Sequence, residues 1–363
     1  MVGVSTCMSA TNPKNTEPEI QTSSLSKPTQ CSTNLPPALC VKQSCIACSN
    51  FLLLNRVRGA LDTVGFFVQK WQTLTGPKMI PFMLQASYMN KERNTPAIGA
   101  TISGIDLSRS LNSDIAEAVY QALLKHLVLV IPGQDLSAAR QLEFAEMFGE
   151  IDQPHHSYPH VDGLPQVTLL ENDADRPPDT HEWHADLTFR ENPPFASVLH
   201  SKILPECGGD TIWSSMYAAY ERLTDSMKAE LAELEAIHDP GSFRNSFMGP
   251  NKSSKSLDRR MYEEGSALHP VIRVHPGTGR KYLYVNEGFT MQIYGHSMPD
   301  SNRLLQYLFN HINQPEFQFR HRWNTGDLVM WDNRVTQHYA VNDYMPHYRR
   351  MHRVTIINDC HTG

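Results

Sequence analysis

His184 and Asp186 stand two positions apart in EWHADLTFR, residues 182–190. On an extended strand, side chains at i and i+2 leave the same face, so this imidazole and this carboxylate can meet one cation. Two ligands hold an ion loosely, and the chain offers a third in His338, within WDNRVTQHYAVNDYMPHYRRMHRVTI. Two imidazoles and one carboxylate on a single face of an octahedral ion form the donor set that suits Fe(II) in oxygenases and leaves three positions open. Arg349, further along the same segment, offers a planar fork that fits a dicarboxylate co-substrate. A zinc-protease helix is excluded, because His181 and His184 are three apart with Glu182 between them, whereas HExxH sets its imidazoles four apart. The plain alternative at this point is three hydrogen-bonded strand residues and a charged final strand.

The elements that must position these groups are legible in outline. Ile98–Ile102 reads as a strand before the turn at Gly104, and Ile115, Val119, Ala122 and Leu123 share one helical face behind a cap at Asn112 or Ser113. Residues 127–131 read as a buried strand stopped by Pro132-Gly133. A second helix is expected over 137–148, ended by Gly149. Further helices are expected near 216–223, 225–236 behind Thr224, and 301–313. Short β-rich runs fall at 166–170, 195–201, 210–213, 271–274, 281–285, 327–331 and 353–357. Helices followed by many strands, with no repeat of 20–50 residues, predict one sheet-on-sheet barrel decorated by helices.

The totals narrow the function classes. The 363-residue chain carries 40% hydrophobic and 19% charged residues, a globular composition with enough length to bury a substantial core. Its net charge of −6 is spread without long runs, so neither a nucleic-acid face nor a polybasic membrane segment is expected. Of 7 cysteines, Cys7, Cys31, Cys40, Cys45 and Cys48 crowd the first 50 positions. This is no disulfide framework, and Cys45-x-x-Cys48 lacks the second pair of a zinc ribbon. A reducing, cytoplasmic setting is the expectation.

Residues 1–78 differ from the rest. Positions 5–37 are rich in Ser, Thr, Pro and Asn, and the more apolar run over 38–74 is interrupted by Lys42, Asn50, Arg56 and Arg58 before it reaches the length of a membrane span. A secretory signal is not expected, and mitochondrial import is weakly supported because the first 30 residues contain no Arg. The expected organisation is a poorly structured extension over 1–78, or an upstream start ahead of Met79, Met83 or Met89, and a folded domain over 79–363.

Taken together and in order, IGATISGIDLSRSL, FGEIDQPHHSYPH, PPDTHEWHADLTF, ENPP, GGDTIW, VNEGFT and WDNRVTQHYAVNDYMPHYRRMHRVTI resemble the taurine dioxygenase (TauD/TfdA-type) branch of the Fe(II)/2-oxoglutarate-dependent oxygenases. The resemblance runs over roughly residues 95–358 and is collinear. It implies a mainly β domain with helices around a double-stranded β-helix, or jelly-roll, core. It also implies Fe(II) at His184, Asp186 and His338, O2 and 2-oxoglutarate as co-substrates, and a supportive role for ascorbate.

By the same resemblance Thr211 and Arg349 hold the distal carboxylate of 2-oxoglutarate, and Arg353 takes a substrate sulfonate. His155, Tyr158 and Thr180 are further substrate contacts, the backbone at Leu187 lies beside the sulfonate, Phe247 and Phe289 wall the pocket, and Trp331 neighbours the iron. The implied reaction hydroxylates the carbon next to a sulfonate, with taurine leading, and releases sulfite and an aldehyde together with succinate and CO2. Another sulfonate, an alkyl sulfate ester or an aryloxy-carboxylate is the same-chemistry alternative, and a non-catalytic jelly-roll binding protein is the alternative of another class. The one departure is Thr180, where the family has an Asn that helps place the substrate amine. The segment HDPGSFRNSF, over 238–247, also looks longer than its counterpart. The expected partner is a small organosulfonate, and a homo-oligomer is left open.

Overall fold

Residues 128–131 are apolar at every position because both faces of that strand are covered: Val128 and Val130 enter one core and Leu129 and Ile131 another. The computed structural model describes residues 89–155, 158–178, 182–240 and 265–362. The expectations placed on 1–78, Thr180, Phe247 and the long 238–247 segment fall wholly or largely outside those residues. No described helix is long and apolar enough to cross a membrane.

In chain order the strands are β1 (Asn90–Arg93), β2 (Ala100–Ser103), β3 (Val128–Ile131), β4 (Gly149–Ile151), β5 (His160–Val161) and β6 (Leu164–Asn172). Then come β7 (Ala196–Ile203), β8 (Thr211–Ser215), β9 (Glu235–His238), β10 (Ala267–Pro270), β11 (Ile272–Val274) and β12 (Lys281–Leu283). The last are β13 (Thr290–Ile293), β14 (Gln318–His321), β15 (Leu328–Asp332), β16 (Thr336–Ala340) and β17 (Arg349–Asp359). The helices are α1 (Ser113–His126), α2 (Ala138–Glu146), α3 (Met216–Glu221), α4 (Asp225–Leu231) and α5 (Met298–Ile312).

The large sheet runs β1-β2-β3-β15-β7-β17-β6-β5, with β4 added beside β17, and is antiparallel except at β2–β3. A smaller sheet, β14-β8-β16, lies across its inner face, and Trp213 of β8 meets Trp331 of β15 at 5.7 Å between ring centroids. The two sheets therefore share one apolar core, while α1 and α2 cover the outer face of the large sheet through a second. The mainly β plan with helices outside agrees with the sequence reading; covering the large sheet on both faces is what makes β3 and β15 nearly continuous apolar runs.

Helix starts follow the sequence closely. The side chains of Asn112, Ser137 and Thr224 accept from the backbone N–H of Ile115, Arg140 and Met227, as capping requires. Three ends differ from expectation. Gly149 does not close α2, which stops at Glu146; it opens β4, where a β-carbon would sit 1.7 Å from the carbonyl oxygen of Asn358, so only glycine fits. Helix α4 ends at Leu231 rather than near 236, because Glu235–His238 pairs with β10 and β13. Helix α5 begins at Met298, three residues early, behind the Ser297 cap.

Candidate metal centre and anion cavity

His184 and His338 are brought together by their own backbones. The His184 N–H donates to the His338 carbonyl at 3.1 Å and the His338 N–H to the His184 carbonyl at 2.7 Å, an isolated antiparallel bridge. Their rings lie 4.2 Å apart. The His184 Nδ1–H donates to the Glu182 carbonyl at 2.8 Å, a bond that fixes the tautomer and leaves Nε2 as the free lone pair.

Asp186 is where the strand expectation fails. Only His184 pairs, and Asp186 opens a turn in which Leu187 takes φ +55°. The turn is tied down from below: Thr188 bonds His238 and Asn286 through its hydroxyl, each at 3.0 Å, and its carbonyl accepts from His269 at 2.9 Å. The carboxylate still reaches the imidazoles. Its Oδ2 accepts from the Ser197 hydroxyl at 2.9 Å, while Oδ1 lies 3.8 Å from His184 Nε2 and 3.9 Å from His338 Nε2.

One donor atom from each of the three residues falls within 4.8 Å of the others, and all three residues are buried. Bonds of about 2.0–2.2 Å to N and O donors let one ion span such a set. Charge is arranged to match. Burial alone would raise the Asp186 carboxyl, but Arg353, with Nη1 3.5 Å from Oδ1, together with both imidazoles and Ser197, holds it well below the usual carboxylate range. Burial and the neighbouring His184 push His338 down to about 3, so this ring is neutral and has no proton to lose before ligation at physiological pH.

The triad forms one wall of a cavity of about 360 Å³. Every described residue singled out in the sequence lies on this cavity: His155, Tyr158, Leu187, Thr211, Phe289, Trp331, Arg349 and Arg353 join the triad. Arg349 and Arg353 project from alternate inward positions of β17. Arg349 is buried, which lowers its pKa, and among the described residues no carboxylate pairs with it. A buried cation left without a counter-ion is costly, and the nearby cavity is where an anion can supply it. Gly209, at φ +73°, lets the chain pass that guanidinium; a β-carbon there would meet Arg349 Cδ and Nε at 3.2 Å. Arg353 also lies 5.8 Å over the Tyr158 ring.

Several supporting residues were not visible in the sequence. Ser197 on β7 reaches Asp186 across 11 positions, while Trp323, whose indole N–H donates to the Thr211 hydroxyl at 3.0 Å, and Asn333 act across 112 and 147. Asn333 alone had a local signal, as part of the WDNR stretch.

The sequence pattern of the Taurine catabolism dioxygenase TauD, TfdA family matches residues 91–355. The chain belongs to this TauD/TfdA family. It is 38% identical over 276 residues to an alkylsulfatase of Acinetobacter baylyi (strain ATCC 33305 / BD413 / ADP1), a match covering 74% of this chain and 85% of that protein. It is 36% identical over 271 residues to an alpha-ketoglutarate-dependent sulfate ester dioxygenase of Pseudomonas putida, covering 73% and 88%. The crystal structure of a taurine dioxygenase from Burkholderia xenovorans superposes with a TM-score of 0.64 at 31% identity, covering 75% of this chain and 90% of that one. Membership of this 2-oxoglutarate-dependent dioxygenase family implies Fe(II) and 2-oxoglutarate, and the buried His-Asp-His set, beside a cavity with a guanidinium that no described carboxylate pairs, fits both.

Proposed function

We propose that the protein is an Fe(II)- and 2-oxoglutarate-dependent dioxygenase that oxidises the carbon bearing a small sulfur oxyanion, an alkyl sulfate ester first and taurine second. The observation that carries the reading is the pair of guanidiniums at one cavity: Arg349 with no carboxylate partner among the described residues, and Arg353 at 3.5 Å from the Asp186 carboxylate. One serves a co-substrate carboxylate and the other a substrate anion held beside the metal. His184, Asp186 and His338 would hold Fe(II), and bound iron with 2-oxoglutarate supplies the reductive activation of O2, giving succinate and CO2.

The chain's own part is positioning. Arg349, with the Thr211 hydroxyl, orients the distal carboxylate of 2-oxoglutarate. Arg353, with His155 and Tyr158, places the sulfo group so that its carbon faces the triad. Leu169, Phe189, Leu199 and Phe289 keep the surroundings apolar and exclude water. Thr180 and Phe247 belong to the same proposal on the family resemblance alone. Oxygen insertion at the carbon of R–CH2–OSO3⁻ gives a hydroxylated ester that separates into an aldehyde and hydrogen sulfate; R–CH2–SO3⁻ gives an aldehyde and hydrogen sulfite.

The sulfate-ester reading is supported by the two relatives named for sulfate esters and by the apolar wall, which suits an alkyl chain better than an ammonium group. Taurine is the second reading because the cavity is also lined by Asp175, a carboxylate that could meet an amine. Purified protein with Fe(II), ascorbate and 2-oxoglutarate is expected to release sulfate from short alkyl sulfates faster than sulfite from taurine. Sulfite released faster than sulfate would reverse the order. Succinate with neither product would sink the sulfur-oxyanion claim, and no succinate across the panel would sink the enzyme claim.

A smaller effect is expected at Trp323. Its N–H occupies one lone pair of the Thr211 hydroxyl and so leaves the hydroxyl proton to be donated elsewhere. Trp323→Phe keeps the ring beside Trp213 and His321 but loses this bond. The KM for 2-oxoglutarate is expected to rise about two- to tenfold, the worth of one neutral hydrogen bond, with kcat little changed. An unchanged KM would remove Trp323 from the site.

A further inference from the structure

We infer that Asn333 is a positioning residue for the metal, acting by fixing the backbone of the ligand Asp186 where the β ladder no longer can. The inference rests on the triad holding a metal ion. After His184 pairs with His338, a continuing antiparallel ladder would bring Asp186 opposite Thr336. The chain turns instead, and Leu187 enters the left-handed region. In place of ladder bonds, the Asp186 N–H donates to Asn333 Oδ1 at 2.8 Å, and Asn333 Nδ2 donates to the Asp186 carbonyl at 3.0 Å and the Pro194 carbonyl at 3.3 Å. One donor must meet Oδ1 and two carbonyls must meet Nδ2, so the amide has a single orientation.

Asn333 is itself buried and rigidly held. Its N–H donates to the Phe195 carbonyl at 2.8 Å, and its neighbours Asp332 and Arg334 form a two-point ion pair, with bonds of 2.9 and 2.7 Å. His275 bonds Asp332 at 3.0 Å, and Arg334 reaches Asp359 at 3.0 Å. The turn between β15 and β16 thus does two things at once: it leads into the strand carrying His338, and through Asn333 it grips Asp186. Ser197 then sets the carboxylate plane from Oδ2, so that Oδ1 faces the imidazoles. Two tethers on the backbone and one on the carboxylate hold the donor atoms converged before any ion binds.

The test is Co(II) titration of the full-length protein, followed by visible absorption and calorimetry, on Asn333→Asp and, separately, Ser197→Ala. The isosteric Asp keeps an acceptor for the Asp186 N–H but loses both donations. The Kd for Co(II) is expected to weaken about 10- to 100-fold in each folded variant, with an altered d–d spectrum. A role in folding alone would lower the melting temperature of the metal-free protein and leave affinity and spectrum of the folded fraction unchanged. That result overturns the inference. Ser197→Ala, a smaller perturbation, keeps it testable should Asn333→Asp fail to fold: unchanged affinity and spectrum in it alone would count against the tethering. Absence of Co(II) binding in the unmodified protein would instead overturn the metal reading beneath it.

Discussion

Replacing Asp186 with alanine is expected to remove both metal binding and succinate formation. Asp186 is the only carboxylate of the triad, and without it a divalent ion would face two imidazoles beside the Arg353 guanidinium, which now lies 3.5 Å from the carboxylate oxygen. A unit charge pair about 4 Å apart is worth about 4 kcal/mol at an effective dielectric near 20, about a thousandfold in affinity, and the dication doubles the leverage. The comparison is Co(II) affinity by calorimetry and succinate by a coupled assay, each against the unmodified protein. Circular dichroism should show the fold retained, since Asp186 stands in a turn and not in a ladder. Co(II) affinity within about tenfold of the unmodified protein would falsify the assignment of Asp186 as the anionic ligand.

That Asp186 stands in a turn marks the boundary of what the sequence could reveal. Periodicity and caps are local signals, and they located α1 through Asn112 and α4 through Thr224. They placed the ends of α2 and α4 wrongly because those ends are decided by partners far along the chain: Asn358 beside Gly149, and β10 and β13 beside Glu235–His238. The i, i+2 spacing of His184 and Asp186 suggested a strand, and the structure keeps the convergence while replacing its cause. A side-chain amide 147 positions away does for Asp186 what a ladder would have done. That His184, Asp186, His338, Arg349 and Arg353 come to one cavity was expected from residue type and from the family resemblance. Ser197, Trp323 and Asn333 were not, because a hydroxyl, an indole and an amide are ordinary residues until the fold aims them at Asp186 or Thr211.

The second large effect is expected at Arg349, and its value lies in contrast with Arg353. Both guanidiniums line one cavity from one strand, so residue type alone cannot say which serves the co-substrate. Their surroundings differ. Arg353 is already engaged with the triad carboxylate, which would place any anion it bound beside the candidate metal ligands. Arg349 lies against Gly209 and Tyr344 with no carboxylate of its own among the described residues, and on the proposed reading its counter-charge comes with a ligand. Truncating one partner of a buried, hydrogen-bonded charge pair costs about 2–5 kcal/mol, and Arg349→Ala is therefore expected to raise the KM for 2-oxoglutarate by about 30-fold or more. Arg349→Lys should recover little of this, since an ammonium lacks the planar fork. Arg353→Ala should chiefly raise the KM for the sulfo substrate and let succinate form without matching product, because an unplaced carbon no longer competes for the oxidising equivalent. Steady-state kinetics with each substrate varied in turn separate the two, and a reversal of the pattern would exchange the roles of the two arginines while leaving the metal triad untouched.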